Sequence, residues 1–259
     1  MTISIYTYLI IFPLVFLAGF VDSIAGGGGL ISLPAYLLAG LPTHTSIATN
    51  KLSSAMGTTI STGKFIKSGL INLKLAIPTI IAALIGSSIG AKLSLISDDR
   101  ILRIVLIPIL IVTAFFVMNR HLFGKEYSQV ENFDKKVFLI ATIAAFIIGG
   151  YDGFYGPGTG TFLIIVLNVF AHLNTAQANA QTKAINLTTN ITSLTVFILS
   201  GQVIWQLGLV AGLFGIAGNI IGANLAIKKS TTITKPIIII VLSLLLIKII
   251  YSFISTGSF

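Results

Sequence analysis

Charge is the scarcest feature of this sequence, and cysteine is missing altogether. Only 9% of the 259 residues are charged, whereas soluble domains carry roughly a quarter. A chain without cysteine can form neither disulfide bonds nor thiol-based sites. No segment is both long enough and polar enough to fold as a separate soluble domain. The lack of charge therefore argues against a soluble protein.

Apolar residues dominate instead, at 55% of the chain. They fall into ten apolar segments, several of them close to the roughly 20 residues that a membrane-spanning helix needs. The segments cover residues 5–21, 30–41, 45–66, 73–95, 101–118, 137–151, 161–173, 181–200, 204–227 and 235–256. This pattern predicts an all-α, polytopic membrane protein.

The sequence contains an internal repeat. Asp22 recurs as Asp152 after 130 residues, and Lys51 recurs as Lys183 after 132 residues. Because charged residues are so rare here, matched acidic and basic positions are strong evidence for duplication. Two glycine pairs with three residues between the glycines are also matched, and they predict close helix packing within each half. These pairs are Gly86 with Gly90 and Gly218 with Gly222.

Basic residues predict that the halves, residues 1–120 and 137–259, have opposite orientations. Three lysines lie at 64–74 after the third segment, whereas the equivalent loop at 200–204 has no charge. Equivalent loops of unlike charge are expected on opposite membrane faces, with the basic one inside. The hydrophilic stretch 121–136 is then a central cytoplasmic loop. We therefore expect two inverted-topology repeats of about five helical segments, each opening with a glycine-broken hairpin.

Each hairpin contains a glycine cluster, Gly26–Gly29 in the first half and Gly156–Gly160 in the second. Broken helices at membrane depth occur where the freed backbone is buried or lines a cavity. The N-terminus of the helix that follows offers N–H groups and partial positive charge to an anion. A tight turn or a close helix crossing is the alternative explanation.

Two lysines and two aspartates accompany these clusters. Lys51 and Lys183 are expected to supply positive charge to an anion pathway, to reach water at the membrane boundary, or to pair with Asp22 and Asp152. The aspartates either cap the broken helices or carry protons, because a carboxylate in hydrocarbon binds a proton readily. Asp152 is the favoured proton carrier and Asp22 the more structural residue. The predicted substrate-binding residues are Gly26, Gly27, Gly28, Gly29, Asn50, Lys51, Ser53, Gly156, Gly158, Thr159, Gly160, Thr182, Lys183 and Asn186.

Other chemistry finds little support in the sequence. The histidines, His44, His121 and His172, lack the spacing of metal ligands and are expected to be solvated. No nucleophile and base in an enzyme-like arrangement is visible, so neither an enzyme nor a cofactor is expected. The sequence has no ATP-binding motif, which favours secondary transport. Its basic residues follow membrane topology and do not indicate a nucleic-acid partner.

The duplicated blocks resemble the TauE/SafE sulfite exporter family. The resemblance rests on Gly19–Gly29, Ala48–Lys51, Gly149–Gly160 and Gln181–Lys183, and it extends over nearly the whole chain. It implies a multi-pass transporter of sulfite or an organosulfonate in the plasma (inner) membrane of a prokaryote. Members are described with about eight spans, against the ten segments counted here. The sequence leaves open whether protons are coupled and whether the protein is a homodimer.

A cation channel or cation transporter is the alternative, with Asp22 and Asp152 as midplane ligands. Two carboxylates at membrane depth would attract cations rather than anions. The leading expectation remains a small anionic substrate and the lipid bilayer as partners.

Overall fold

The computed structural model describes residues 5–98, 101–102, 127–128, 133–228 and 236. Within these ranges the chain is helical and contains no strand, which confirms the all-α prediction. The expected segments 101–118 and 235–256 lie almost entirely outside the described residues. The described residues include eight helices of ten residues or more: α1 Ile5–Ala25, α2 Gly29–Leu38, α3 Thr43–Lys67, α4 Leu73–Ile96, α5 Lys135–Phe154, α6 Thr159–Val169, α7 Thr175–Leu199 and α8 Trp205–Lys228.

The helix lengths repeat between the halves. The first four helices have 21, 10, 25 and 24 residues, and the next four have 20, 11, 25 and 24. Each half therefore opens with a long arm and a short arm, as the expected hairpins require. The short arms α2 and α6 fall well below the roughly 20 residues that cross a membrane.

Side-chain caps explain where several helices begin. Asn72, Asp134 and Asn174 precede α4, α5 and α7, and each side chain accepts a hydrogen bond from the backbone N–H three residues on. The cap at Asn174 starts α7 six residues before the predicted segment. The first arms also continue past their predicted ends at residues 21 and 151, so the hairpin aspartates lie inside helices.

Four helices are long and apolar enough to cross a membrane: α1, α4, α5 and α8. Helices α3 and α7 are equally long but carry many polar side chains, and most of these are buried. Thr62 of α3 donates to the backbone carbonyl of Lys183 in α7 at 3.1 Å. A polar helix pair needs protein neighbours rather than lipid. The apolar helices therefore surround a polar centre built from α3 and α7.

The matched glycine pairs join the two halves to each other. A Cβ on Gly90 of α4 would lie 2.8 Å from the amide nitrogen of Phe154 in α5. A Cβ on Gly218 of α8 would lie 2.8 Å from the amide nitrogen of Phe20 in α1. Close packing was predicted correctly, but its assignment within each half was wrong. Helices of opposite halves meet here because small residues let backbones approach closely.

Equivalent central helices run in opposite directions. His44 at the start of α3 lies 2.9 Å from the carbonyl oxygen of Ser94 near the end of α4. Gln181 near the start of α7 donates at 3.0 Å to the carbonyl of Asn72, just before α4 begins. Since α3 begins beside the end of α4 and α7 begins beside its start, the two helices are antiparallel.

The histidines differ in their surroundings. His44 is partly buried and its Nε2 lies 2.9 Å from the Ser94 carbonyl oxygen, so the expectation that it is solvated was wrong. His172 is exposed, with a φ of 54°, and its ring packs on Tyr127 at a centroid distance of 4.9 Å. His121 lies outside the described residues.

Candidate functional site

The two glycine turns are in direct backbone contact at the centre of the molecule. A Cβ on Gly26, which has a φ of 73°, would lie 2.7 Å from the Cα of Gly160. The reverse substitution at Gly160 would place a Cβ 2.6 Å from the Cα of Gly26. Only glycine fits both positions, because such distances lie inside any allowed contact. The breaks in the two hairpins therefore interlock.

Both short arms start at this crossing. Helix α2 follows Gly28 and helix α6 follows Gly158, and these glycines have no side chain with which to cap the helices. The amide of Gly28 donates to Oδ1 of Asp22 at 3.4 Å, so that aspartate fills part of the capping role foreseen for it. Two helix N-termini thus point their positive ends toward one region of the protein.

Two ion pairs connect the halves at the same level. Lys51 of α3 lies 2.8 Å from Oδ2 of Asp152 in α5, and Lys183 of α7 lies 2.7 Å from Oδ2 of Asp22 in α1. The lysines are 2% and 0% exposed, so neither reaches water at the membrane boundary. Pairing with the aspartates was one of the open possibilities. The structure shows it, with each lysine bound to the carboxylate of the other half.

The two pairs differ in geometry. Lys183 donates to Oδ2 of Asp22 and also to the backbone carbonyl of Asp22. Lys51 instead donates to Oδ1 of Asn190 at 3.3 Å. Its contact with Asp152 is short enough for an ion pair, yet Oδ2 of Asp152 is not in hydrogen-bonding geometry with any described residue. The Lys183 pair is therefore the better satisfied of the two.

A polar cavity lies between the hairpins and the central helices. About 50 Å³ of it can hold the centre of a water molecule, which is room for several waters or one small oxyanion. Twelve of the sixteen predicted binding and proton-carrying residues line it. These are Asp22, Gly26, Gly28, Gly29, Asn50, Lys51, Ser53, Asp152, Gly156, Thr159, Gly160 and Asn186. Gly27, Gly158, Thr182 and Lys183 are not among the lining residues.

Two amide side chains in the cavity wall have unpaired oxygens. Oδ1 of Asn50 and Oδ1 of Asn186 have no hydrogen-bond partner among the described residues, and the two residues are 7% and 5% exposed. Buried polar atoms are normally satisfied, so an unsatisfied one at a cavity points to a ligand. A side-chain amide carries an acceptor and two donors, and it can bind an anion through its NH₂ group.

Five polar residues of the cavity were missed by the sequence prediction: Ser32, Ser54, Thr58, Asn190 and Asn219. Asn190 could have been found, because it lies one helical turn after Asn186 and on the same face. Asn219 was hidden in a glycine motif that predicts packing alone. Its Oδ1 accepts a hydrogen bond from the hydroxyl of Ser23 at 2.7 Å.

No group of three or more histidine, cysteine, aspartate or glutamate side chains that could hold a metal ion occurs in the part of the chain that the structure describes. Its charged centre consists of the two lysine–aspartate pairs. Buried charges and broken helices around a polar cavity, inside a shell of apolar helices, are the architecture of a membrane transporter.

Comparison with known proteins specifies that class. The sequence model of the family "Sulfite exporter TauE/SafE" matches residues 11–249. The chain belongs to this family, and the resemblance found in its glycine blocks is confirmed. No solved structure gives a significant match.

Curated relatives carry transporter names. A protein of Sinorhizobium sp., "Probable membrane transporter protein ORF9", is 36% identical over 89% of this chain and 87% of its own length. "Probable membrane transporter protein YfcA" of Escherichia coli is 35% identical over 93% of this chain and 89% of its own length. A "Probable membrane transporter protein" of Haemophilus influenzae is 32% identical over 97% of both chains. This protein is therefore a membrane transporter of the TauE/SafE family.

Proposed function

We propose that the protein is a secondary transporter of a small anion, most simply sulfite or an organosulfonate. The observation that carries this proposal is the ammonium group of Lys51 in the wall of a small polar cavity. The side-chain amides of Asn50 and Asn186 and two helix N-termini border the same space. Positive charge, amide donors and helix N-termini together suit an oxyanion. The family name supplies the sulfur-containing substrate class.

The protein is expected in the plasma membrane of a prokaryote as two inverted repeats. Antiparallel α3 and α7 support the inversion, as do the reciprocal contacts of α4 with α5 and of α8 with α1. In this arrangement the hairpins α1–α2 and α5–α6 enter from opposite faces and meet at their glycine turns. A substrate site at the interface of inverted repeats is the usual design of secondary transporters.

Proton coupling is part of the proposal, with Asp152 as the carrier. Asp152 lines the cavity beside Lys51. Asp22 also borders the cavity, but its carboxylate is held by Lys183 and lies near the amide of Gly28. The carboxylate with fewer hydrogen bonds can exchange a proton at lower cost. Tyr151 does not relay that proton in the described state, because its hydroxyl donates to a backbone carbonyl of the glycine turn at 2.6 Å.

Cation transport is the weaker alternative. Asp22 and Asp152 both border the cavity, which is the feature that a cation site would need. Each carboxylate is already neutralised by a lysine within 2.8 Å. A cation would have to displace a lysine from its partner and leave a second positive charge beside it, which is unfavourable in a low-dielectric site.

Flux in proteoliposomes tests the proposal. Wild-type protein should carry labelled sulfite or a labelled sulfonate, and Lys51→Met should abolish that flux while the protein stays folded. Lys64→Met is the matched control, because Lys64 lies on the same helix and its Nζ makes an exposed hydrogen bond to Asn224. Normal anion flux in Lys51→Met, or metal-ion flux in place of anion flux, would contradict the proposal.

A further inference from the structure

The ammonium of Lys51 already holds an anion that belongs to the protein, the carboxylate of Asp152 at 2.8 Å. Both residues border the cavity in which the proposed function puts the substrate, and the inference below rests on that function. We propose that Asp152 is a built-in competitor of the substrate. Its carboxylate occupies the place beside Lys51 that the substrate anion takes, and it yields that place by accepting a proton.

The charges at the site require such an exchange. With both ion pairs formed, the lysines Lys51 and Lys183 balance the aspartates Asp22 and Asp152. A balanced site offers an incoming anion no net attraction. A second anion beside Lys51 would also be repelled by the Asp152 carboxylate, and strongly so in a low-dielectric interior. A proton on Asp152 removes this repulsion and frees the ammonium, so that one proton is taken up with each anion.

Geometry favours the Lys51 pair over the Lys183 pair for this role. Lys183 is 0% exposed, does not border the cavity, and donates twice to Asp22. Lys51 borders the cavity and has a second, neutral partner in Asn190 at 3.3 Å. That amide can keep the ammonium in place while the carboxylate leaves. Both aspartates border the cavity, so the two pairs differ in their lysines. An anion in the cavity can reach the ammonium of Lys51 but not that of Lys183.

Because residue 156 is a glycine, no side chain covers the Lys51–Asp152 pair at this point. A Cβ on Gly156 would lie 2.8 Å from Oδ1 of Asp152 and 3.1 Å from Nζ of Lys51. Any other residue would cover the pair at this point. Asn50 and Asn186 lie in the same cavity wall, and their NH₂ groups are donors that the anion displacing Asp152 can use. Their unpaired Oδ1 atoms are acceptors and call for a donor such as water.

Among the described residues, few charged or titratable groups lie near Asp152. Helix α3 contributes Lys51, and the neighbouring Tyr151 interacts electrostatically with the carboxylate and with Tyr155. The Tyr151 hydroxyl donates to the backbone carbonyl of Pro157. Helix α6 has no titratable residue, Lys92 of α4 is exposed, and Asp22 of α1 is paired with Lys183. The ion pair of Asp152 is therefore the one with Lys51.

Binding of methanesulfonate to the purified protein tests the proposal, because this anion does not itself titrate near neutral pH. At pH 7.5, Asp152→Asn should bind it at least about tenfold more tightly than the wild type, because no carboxylate then competes for the ammonium of Lys51. Asp134→Asn is the matched control, because Asp134 is an exposed carboxylate that caps the same helix, does not border the cavity and can be replaced by asparagine as a cap. It should change the affinity by no more than about twofold, within ordinary context effects. If Asp152 instead positions Lys51, Asp152→Asn will bind more weakly, and the competitor idea is overturned.

Calorimetry on the wild type gives a second reading that needs no variant. Heats of methanesulfonate binding in two buffers of different ionisation enthalpy should show uptake of close to one proton per anion. Uptake near zero would overturn the proposal even if Asp152→Asn does not fold.

The variant Lys51→Met separates a failure of this proposal from a failure of the proposed function. Sulfonate binding that is lost in Lys51→Met but unchanged in Asp152→Asn leaves anion transport intact and removes only the competitor. Undiminished binding in Lys51→Met contradicts both.

Discussion

Two ion pairs of identical composition flank the interlocked glycine turns, yet they are embedded differently. Lys183 and Asp22 share two hydrogen bonds, and the lysine is fully buried. Lys51 and Asp152 share a short contact without hydrogen-bond geometry at the edge of a cavity. A duplicated sequence thus provides the same charges twice, and the neighbouring residues decide that only one of the two lysines borders the cavity.

The surrounding helices show the same asymmetry. Ala18, Ser53 and Gly215 border the cavity on the side of α1, α3 and α8. Their counterparts in the repeat, Ile148, Ile185 and Ala83 respectively, belong to an apolar cluster or pack against it. Larger aliphatic side chains on α4, α5 and α7 thus fill the space that small and polar residues leave open beside α1, α3 and α8.

The largest expected loss of stability comes from removing one partner of the Lys183–Asp22 ion pair. Lys183→Met leaves the carboxylate of Asp22 without its counter-ion and should lower the free energy of unfolding by about 3–5 kcal/mol. Lys51→Met should cost less, because Lys183 donates two hydrogen bonds to Asp22 whereas Lys51 makes no contact of hydrogen-bond geometry with Oδ2 of Asp152. Equilibrium unfolding in detergent measures both, with Lys64→Met as the exposed control. A larger loss in Lys51→Met than in Lys183→Met would reverse the comparison.

The next largest loss of stability is expected at the glycine crossing, which both ion pairs flank. Gly26→Ala should destabilise the protein by about 3 kcal/mol, because its Cβ would collide with the backbone of Gly160 and its φ is positive. Gly40 has a φ of 82° but no neighbour within 4 Å, so Gly40→Ala should cost only about 1 kcal/mol.

Substitution of a third glycine, Gly63, should change the stability in the opposite direction. Gly63 lies in α3 with no atom within 4 Å of its would-be Cβ. Gly63→Ala should stabilise the protein by about 0.5–1 kcal/mol, because alanine favours a helix interior. Melting temperatures of the three variants check the series. Equal losses at Gly26 and Gly40 would show that backbone strain, rather than the crossing, decides the outcome.

An intermediate change in the free energy of unfolding is expected when both Lys183 and Asp22 are neutralised. Asp22→Asn/Lys183→Met should be more stable than Lys183→Met by about 1–2 kcal/mol, because no uncompensated charge remains buried. The same unfolding measurement compares the two proteins. If the double variant is as unstable as the single one, the pair contributes specific hydrogen bonds that neutral side chains cannot replace.

The sequence predicted the architecture well because its signals are local. Apolar segments, glycine breaks and matched charges identified the helices, the hairpins and most residues around the cavity. The ion pairs between the halves were harder to predict, because the positions of Lys51 and Asp152 in the sequence do not determine which lysine contacts which carboxylate. Helix ends were misjudged at Asp22 and Thr175, where tertiary packing and an asparagine cap override the apolar pattern.

Asn219 and Ser87 are equivalent positions in the repeat. Replacing each by alanine tests whether the asymmetry of the two ion pairs extends to the cavity wall. Asn219 borders the cavity, whereas Ser87 is buried between helices and its hydroxyl donates to the carbonyl of Thr189 at 3.0 Å. Asn219→Ala should raise the KM for anion uptake about fivefold with little change in kcat, because one hydrogen bond is worth about 1 kcal/mol. Ser87→Ala should leave KM unchanged and lower stability by about that amount. Asn224→Ala, on an exposed position of the same helix as Asn219, should alter neither quantity. Equal effects of Asn219→Ala and Ser87→Ala on KM would mean that the substrate contacts both halves alike, and the functional asymmetry inferred from the two ion pairs would not extend to the cavity wall.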